Sequence, residues 1–302
     1  MKLSQWNKYA IVAHTLAFFG LLGLYSYYKK SHKHVKADLY RSALPSKADL
    51  STQCNSTGEP VPQGAGQCVT APILGVPVKA NVSFNIVYGC LFFFAFTAFA
   101  HLYYYTDGFH SGNYTKVIAK GWNPYRWAEY GVSASVMSIL IGYALGITEF
   151  PFLANLALIT AGMQASGYVV ESALRQPIIN KDVVIGATIG GWLLFTAMWG
   201  PLIYTFWSRV NDVNLNYNDI IDSATGKPLK VPNFVWFIVA IQLFNYASFG
   251  LIQLKQVRAA FKDMPIPFSK IEANYLKLSF AGKLGLAGGL AYGLIYRTKN
   301  CI

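Results

Sequence analysis

Charge is what this sequence has least of. Asp, Glu, Lys and Arg make up 13% of its 302 residues, against about 25% in ordinary globular chains, and the deficit falls in long apolar runs separated by short polar ones. With 54% hydrophobic residues, this composition excludes a soluble globular domain, a disordered chain and a collagen. Acidic residues are scarcest, 13 against 25 Lys and Arg. The net charge of +12 raises nucleic acid as a partner. The basic residues are scattered, however, and nowhere form a dense patch beside stacking aromatics, so the expected partner is the lipid headgroup layer and not nucleic acid. Four cysteines are too few for a disulfide-built mini-domain. No metal-spaced Cys/His cluster, phosphate loop or nucleophile motif stands out, and the chain is not read as an enzyme. The first apolar run lacks a small-residue cleavage site and is too long for a signal peptide, which makes it a retained helix.

What is present is seven apolar segments: Tyr9 to Tyr28, Val82 to Tyr105, Pro124 to Ile147, Pro151 to Glu171, Val183 to Trp207, Asn233 to Leu254 and Ala273 to Tyr296. Each is long enough to cross a bilayer at roughly 20 residues per span, and their continuous hydrophobicity favours helices over the alternating pattern of a membrane barrel. The expected fold is an all-α, seven-transmembrane-helix bundle, a single membrane domain over 1–302. The third and fourth spans are joined by Thr148, Glu149 and Phe150 alone, whereas a long extracellular loop, about 29–81, separates the first two. Only that loop is expected to hold extra structure. It carries Cys54 and Cys68, either a disulfide or two free thiols, and the sequons Asn55-Ser56-Thr57 and Asn81-Val82-Ser83, either glycosylated or chance matches. With the long loop discounted, Lys2, Lys8, Lys116, Lys120, Arg175, Lys181, Lys255, Arg258, Lys262 and Lys270 fall on one side. Arg209, Lys227, Lys230, Arg297 and Lys299 fall on the other. The positive-inside rule then puts the N-terminus in the cytoplasm and the C-terminus outside.

Ionisable groups inside spans are functional candidates, since a central Lys or Asp is charged about 2.5–3.5 kcal/mol even on permissive insertion scales. Lys283 sits near the middle of the seventh span and needs a partner or a modification. Lys277 lies nearer the headgroups, where it can snorkel. Glu129 follows the start of the third span in Asn123-Pro124-Tyr125-Arg126-Trp127-Ala128-Glu129-Tyr130. By helical rise Glu129 lies about 7 Å and Lys283 about 15 Å below the inner surface, a gap two extended side chains can bridge. Ser133 and Met137 follow Glu129 at i+4 and i+8, and Ser279 precedes Lys283 at i−4, so each charge shares a helix face with a hydroxyl. One reading is an aldehyde held by Lys283 as a protonated Schiff base, with Glu129 as counter-ion and Ser133 and Ser279 as hydrogen-bond partners. The other is a plain Lys–Glu bridge in a transporter. Spacing does not decide between them, although no internal repeat or paired helix break marks a transporter.

The run Arg126 to Tyr130, followed by Ser133-Ala134-Ser135-Val136-Met137, resembles the heliorhodopsins within the microbial-type rhodopsins. Met163-Gln164 and Gly167-Tyr168 with Glu171 in the fourth span, and Leu278-Ser279 with Lys283 in the seventh, are similar to the same family, so that the resemblance extends over all seven spans. It implies a rhodopsin-like fold, covalent retinal on Lys283 (all-trans in the dark), counter-ion Glu129, an inside N-terminus and a homodimer through the fourth and fifth spans. His14 and His101 resemble the family's histidines near an inner polar cavity, implying a proton-accepting network or, otherwise, two histidines satisfied by neighbours. A polyene needs aromatic and aliphatic walls, for which Met137, Met163, Trp192, Gln242, Tyr246 and Phe249 are candidates. The function implied is a photoreceptor whose bundle signals to an unidentified downstream partner. The alternative is light-gated or light-driven ion transport, with Glu149, Asp212, Asp219 and Asp222 as the acidic groups that motivate it.

Overall fold

In the computed structural model, the described residues are 3–29, 36–43, 76–107, 112–216, 221–222, 227–228, 230–264 and 266–300. Seven long helices form the bundle: α1 (Leu3–Lys29), α2 (Ile86–Tyr105), α4 (Pro124–Ala144), α5 (Phe150–Ala173), α6 (Lys181–Asn216), α7 (Asn233–Ala260) and α8 (Phe268–Asn300). A short helix, α3 (Asn113–Ala119), lies between α2 and α4. The chain closes a ring in the order α1, α2, α4, α5, α6, α7, α8, back to α1. Five of the long helices are apolar enough to cross a membrane by length and hydropathy; the two that fall short are α4 and α8, which carry Glu129 and Lys283.

The helix ends follow local chemistry. Asn85 caps α2, its side-chain oxygen accepting from the amides of Val87 at 3.0 Å and Tyr88 at 3.3 Å. Asn123 caps α4 in the same way through the amide of Arg126 at 3.1 Å, with Pro124 in the first turn where its missing N–H is harmless. At the other end of α4, Gly146 takes φ 82°, and the amides of Gly146 and Ile147 bond back to Tyr143 and Gly142. This left-handed stop explains how α5 can begin after so short a link.

Three expectations need correction. Residues 82–85 do not begin the second span but complete strand β2 (Val76–Asn85), which pairs antiparallel with β1 (Lys36–Ala43), Lys36 facing Asn85 and Ala43 facing Val76. Hydropathy cannot separate a Val-rich strand from a helix start. The long loop is also not the only one with extra structure, since α3 and a two-residue pair, β3 (Ile221–Asp222) with β4 (Lys227–Pro228), lie elsewhere. Finally, α6, α7 and α8 run past the expected ends at Trp207, Leu254 and Tyr296, because a helix continues into the headgroup zone after its apolar stretch has ended. Cys54, Cys68, Asn55 and Asp219 lie outside the described residues; Asn81 lies within β2.

The bundle interior has two halves. The end where α1 begins, called here the amino end, also holds the starts of α4 and α8 and the ends of α2, α5 and α7. In the half away from it, Phe93, Phe94, Leu140, Ile141, Leu153, Leu202, Ile238 and Leu286 form a continuous apolar core. That half also contains an apolar-walled cavity of about 140 Å³ among α1, α2, α4, α7 and α8. Small residues let α7 press on α8: a Cβ at Gly289 would come within 2.5 Å of Ile238, and one at Gly293 within 2.6 Å of Phe234. On the outside Leu16, Leu158, Leu193 and Phe244 are among the large hydrophobics left exposed, as suits a surface facing lipid tails.

Candidate functional site

The middle of the bundle is built around a lysine that the fold removes from water. Lys283, 1% exposed on α8, points its Nζ to Oε1 of Glu129 on α4 at 2.9 Å and to Oγ of Ser279 at 2.8 Å. Glu129 is itself 4% exposed and accepts a further hydrogen bond from the hydroxyl of Thr97 on α2. Neither charge survives alone at such depth; each is held by the other and by hydroxyls. The Lys283 ammonium also lies 5.5 Å from the centre of the Tyr130 ring. Ser133 does not join this set. Its Oγ is buried without a partner on the wall of the adjoining cavity.

That cavity measures about 70 Å³ and runs from Lys283 between α4, α5, α6, α7 and α8. Met137, Met163, Trp192, Tyr246 and Phe249 are all on its wall, with Ser133, Ser279 and Lys283 at one end. Gln242 is not. Its side-chain amide donates instead to the carbonyl of Gly282 at 2.8 Å, so it ties α7 to α8 beside Lys283 and does not line the cavity. The bare α8 backbone at Gly282 accommodates the neighbouring Asn245 side chain, which a Cβ there would overlap. Two further ties frame the space: Tyr246 OH donates to the carbonyl of Ala134 at 3.0 Å, and Gln253 donates to that of Gly167 at 2.9 Å. Gly250 has no side chain to meet the Trp192 indole, which a Cβ would approach within 2.9 Å. An amine at one end, an orphaned hydroxyl beside it and aromatic walls beyond fit a linear apolar aldehyde such as retinal.

His14 and His101 lie together, their rings stacked at 5.9 Å. Their hydrogen bonds go to the backbone of Ala10 at 2.8 Å and to Oδ1 of Asn7 at 3.1 Å, and not to Glu129. Since both partners are acceptors, Nδ1 carries the hydrogen in each ring. His101 and Glu129 do share one small cavity of about 10 Å³, room for about one water, which Asn7, Tyr104, Asn123, Arg126 and Glu272 also line. Nearer the amino end Arg126, 4% exposed, pairs with Glu171 of α5 at 2.8 Å and with Glu272 of α8. Trp127 donates to Glu171 at 2.6 Å, and Asn123 donates from its backbone to Glu171 at 3.3 Å and from its side chain to Glu272 at 3.0 Å. The guanidinium lies against the rings of Trp127 at 4.7 Å and Tyr275 at 4.3 Å, which meet each other edge-on.

Thr97, Asn7 and Glu272 do not stand out in the sequence, yet signals for two of them exist. Thr97 is the one hydroxyl in Phe92-Phe93-Phe94-Ala95-Phe96-Thr97-Ala98-Phe99 and precedes His101 by four residues. Glu272 precedes Lys283 by eleven residues, three helical turns, and so shares its face. Lys277 is exposed, its ammonium 4.9 Å from the centre of the Trp6 ring. Glu149 and Asp212 are solvent-exposed.

Known proteins supply the last observation. No curated protein matches the chain. The family model for heliorhodopsin matches residues 69–293, which takes in α2 to α8 but leaves α1 and His14 outside. With that match across well over half its length, the chain belongs to the heliorhodopsin family of retinal-binding, rhodopsin-type membrane proteins.

Proposed function

We propose that this protein is a light-sensing photoreceptor, with retinal held on Lys283 as a protonated Schiff base, all-trans in the dark, and Glu129 as its counter-ion. The observation that carries this reading is the buried Lys283–Glu129 pair at 2.9 Å on the wall of an aromatic cavity. A bridge serving structure alone has no need of a cavity at its nitrogen. Bound there, retinal supplies light absorption and a change of shape. The residues of the chain do the rest. Glu129 balances the positive nitrogen, Thr97 and Ser279 orient the pair, and Ser133 offers a free hydroxyl to the nitrogen or to a water beside it. Met137, Met163, Trp192, Tyr246 and Phe249 exclude solvent along the polyene. His14 and His101 accept the proton when the Lys283 nitrogen gives it up, and the resulting charge rearrangement reaches a signalling partner through the helix ends.

The N-terminus is placed in the cytoplasm by the loop charges, and the protein forms a homodimer. The open face of α6 at Gly186 and Gly190, where a Cβ would meet nothing within 4 Å, supports a contact through α5 and α6. Ion transport is the second reading. It needs a polar route through the half away from the amino end, where the packing of Phe93, Phe94, Leu140 and Ile141 argues for a sensor.

The test is a visible absorption spectrum of protein expressed with all-trans retinal, beside Lys283→Ala and Glu129→Gln. A band lost in the first variant and displaced in the second is expected. Folded, retinal-saturated protein with no band would return the pair to a structural role. Voltage-clamped cells separate the two functions, since a photocurrent reversing with the proton gradient would replace the sensor with a transporter.

A further inference from the structure

The short helix α3 contributes nothing to the cavity at Lys283, yet one of its side chains is held deep in the bundle. Of its seven residues only Tyr114 is buried, at 5% exposure, while Asn113, Thr115, Lys116 and Ala119 face outward. The Tyr114 ring stacks on Tyr104 with centres 4.8 Å apart and planes 11° apart, and it leans on Tyr125 at 6.2 Å. Its hydroxyl accepts from Nδ2 of Asn7 at 3.4 Å. Asn7, only 3% exposed, turns its other side-chain atom to His101. Tyr104 and Asn7 are both walls of the small cavity that contains Glu129 and His101. Tyr114 therefore lies directly behind that cavity on its amino-end side.

The attachment of α3 is local. Asp107 and Gly112, before it, both take left-handed backbone conformations, with φ 53° and 68°. The Asp107 carboxylate accepts from the amide of Thr115 at 2.8 Å. The Tyr114 ring, the Asp107 cap and the Asn7 hydrogen bond are among the contacts that hold this seven-residue helix across the end of a polar network, and short surface segments open at lower free energy than the core.

We propose that α3 is a stopper for the amino-end mouth of the bundle, with Tyr114 as its plug, and that it keeps the Glu129–His101 network out of contact with bulk water. This rests on reading Lys283 and Glu129 as the retinal site and adds what confines the proton there. A proton leaving the Lys283 nitrogen reaches the histidines but not the solvent, so the N–H bond broken at Lys283 is replaced by one on a neighbouring side chain and net charge inside the bundle is unchanged. At the opposite end the apolar core does the same work. The sensor reading thereby acquires a physical basis at both ends, and at the amino end Tyr114 adds to the closure made by the Arg126 clamp.

The first test needs no retinal. In full-length Asn7→Cys protein, labelling at position 7 by a water-soluble thiol reagent, read by peptide mass, is compared with and without Tyr114→Ala. The plug requires labelling at least about tenfold faster when the ring is removed, since reaction through local opening follows the free energy that holds the segment shut, and little change with Tyr114→Phe, which keeps the ring. Equal rates with and without the ring overturn the proposal. Where Tyr114→Ala does not fold, Asp107→Ala, which removes the cap, is expected to accelerate labelling in the same direction, and its failure to do so counts equally against the plug. In retinal-loaded protein, a soluble pH indicator is expected to report a light-induced proton signal in Tyr114→Ala that is absent with Tyr114 in place. A signal of equal size in both proteins overturns the seal. Absence of any visible band overturns the retinal reading instead and leaves the labelling result to stand on its own.

Discussion

Two buried ionic groups sit in this bundle among the described residues, and they are built differently. At the amino end Arg126 is shared between Glu171 and Glu272, held against the rings of Trp127 and Tyr275 and tied to the cap of α4 by Asn123. Helices α4, α5 and α8 meet there. About one turn further along α4, Lys283 and Glu129 are joined by one ion pair and two hydroxyls, and one side of the nitrogen opens on a cavity with an unpartnered Ser133. The first arrangement locks three helices, with Arg126 Nε and Glu171 Oε1 still left without a partner. The second stands on the wall of a cavity with aromatic sides, and a buried charge beside such a space marks a site more clearly than burial or charge does alone.

The contrast can be broken by removing one charge from each group. Arg126→Ala leaves two carboxylates buried without their cation and should cost about 3–5 kcal/mol, read as a large fall in thermal midpoint in detergent. Lys283→Ala is expected to abolish the visible band while the protein remains folded. Comparable destabilisation by both would erase the distinction between clamp and site. A smaller effect falls on Thr97→Ala, which strips a hydroxyl donor from the Glu129 carboxylate; about 1.5–3 kcal/mol is the range for hydrogen bonds to charged groups, and the band should move as the counter-ion does. If stability falls with no change in the band, Thr97 belongs to packing alone.

Ser133→Ala sharpens the comparison from the other side. Removal of a buried hydroxyl that has no partner should change stability by less than about 1 kcal/mol, yet displace the band, because the hydroxyl lines the same cavity as the nitrogen. The smallest effect is at α3. Burial raises the Tyr114 phenol from 10.0 to about 12, opposed by the Asn7 hydrogen bond and Arg126 and reinforced by Asp107. Because the folded value is the higher one, the contribution of Tyr114 is complete below pH 10 and is lost as pH rises through about 12. The rate of labelling at position 7 should climb over that window, and Tyr114→Phe should remove that part of the climb.

Much of this was legible in the sequence, in proportion to how local the physics is. Seven long apolar runs in a chain with so little charge leave a helical membrane bundle as the economical way to satisfy the backbone in lipid. A lysine in mid-span demands a partner, and Asn123-Pro124 announces the start of α4 before any neighbour is known. Periodicity also placed Ser279 on the face of Lys283 and Tyr246 and Phe249 on one face of α7. Facing direction alone did not place Gln242, however. Whether that amide lines a cavity or ties two helices depends on where the Gly282 carbonyl lies, and that belongs to another element.

The same reasoning explains what the tertiary structure alone decided. Residues 82–85 read as helix or strand until β1 supplies their partner across the loop. Glu171 and Glu272 are far apart in sequence and are ordinary acids near helix ends until Arg126 meets both. Tyr114, in a polar segment between two spans, gives no sign of being buried. Apolar content and helical period are properties of a single segment, and the sequence states them outright. Which charges share a guanidinium, which hydroxyl is left unpartnered and which ring closes the end of a cavity are properties of several segments at once, and only their packing fixes them.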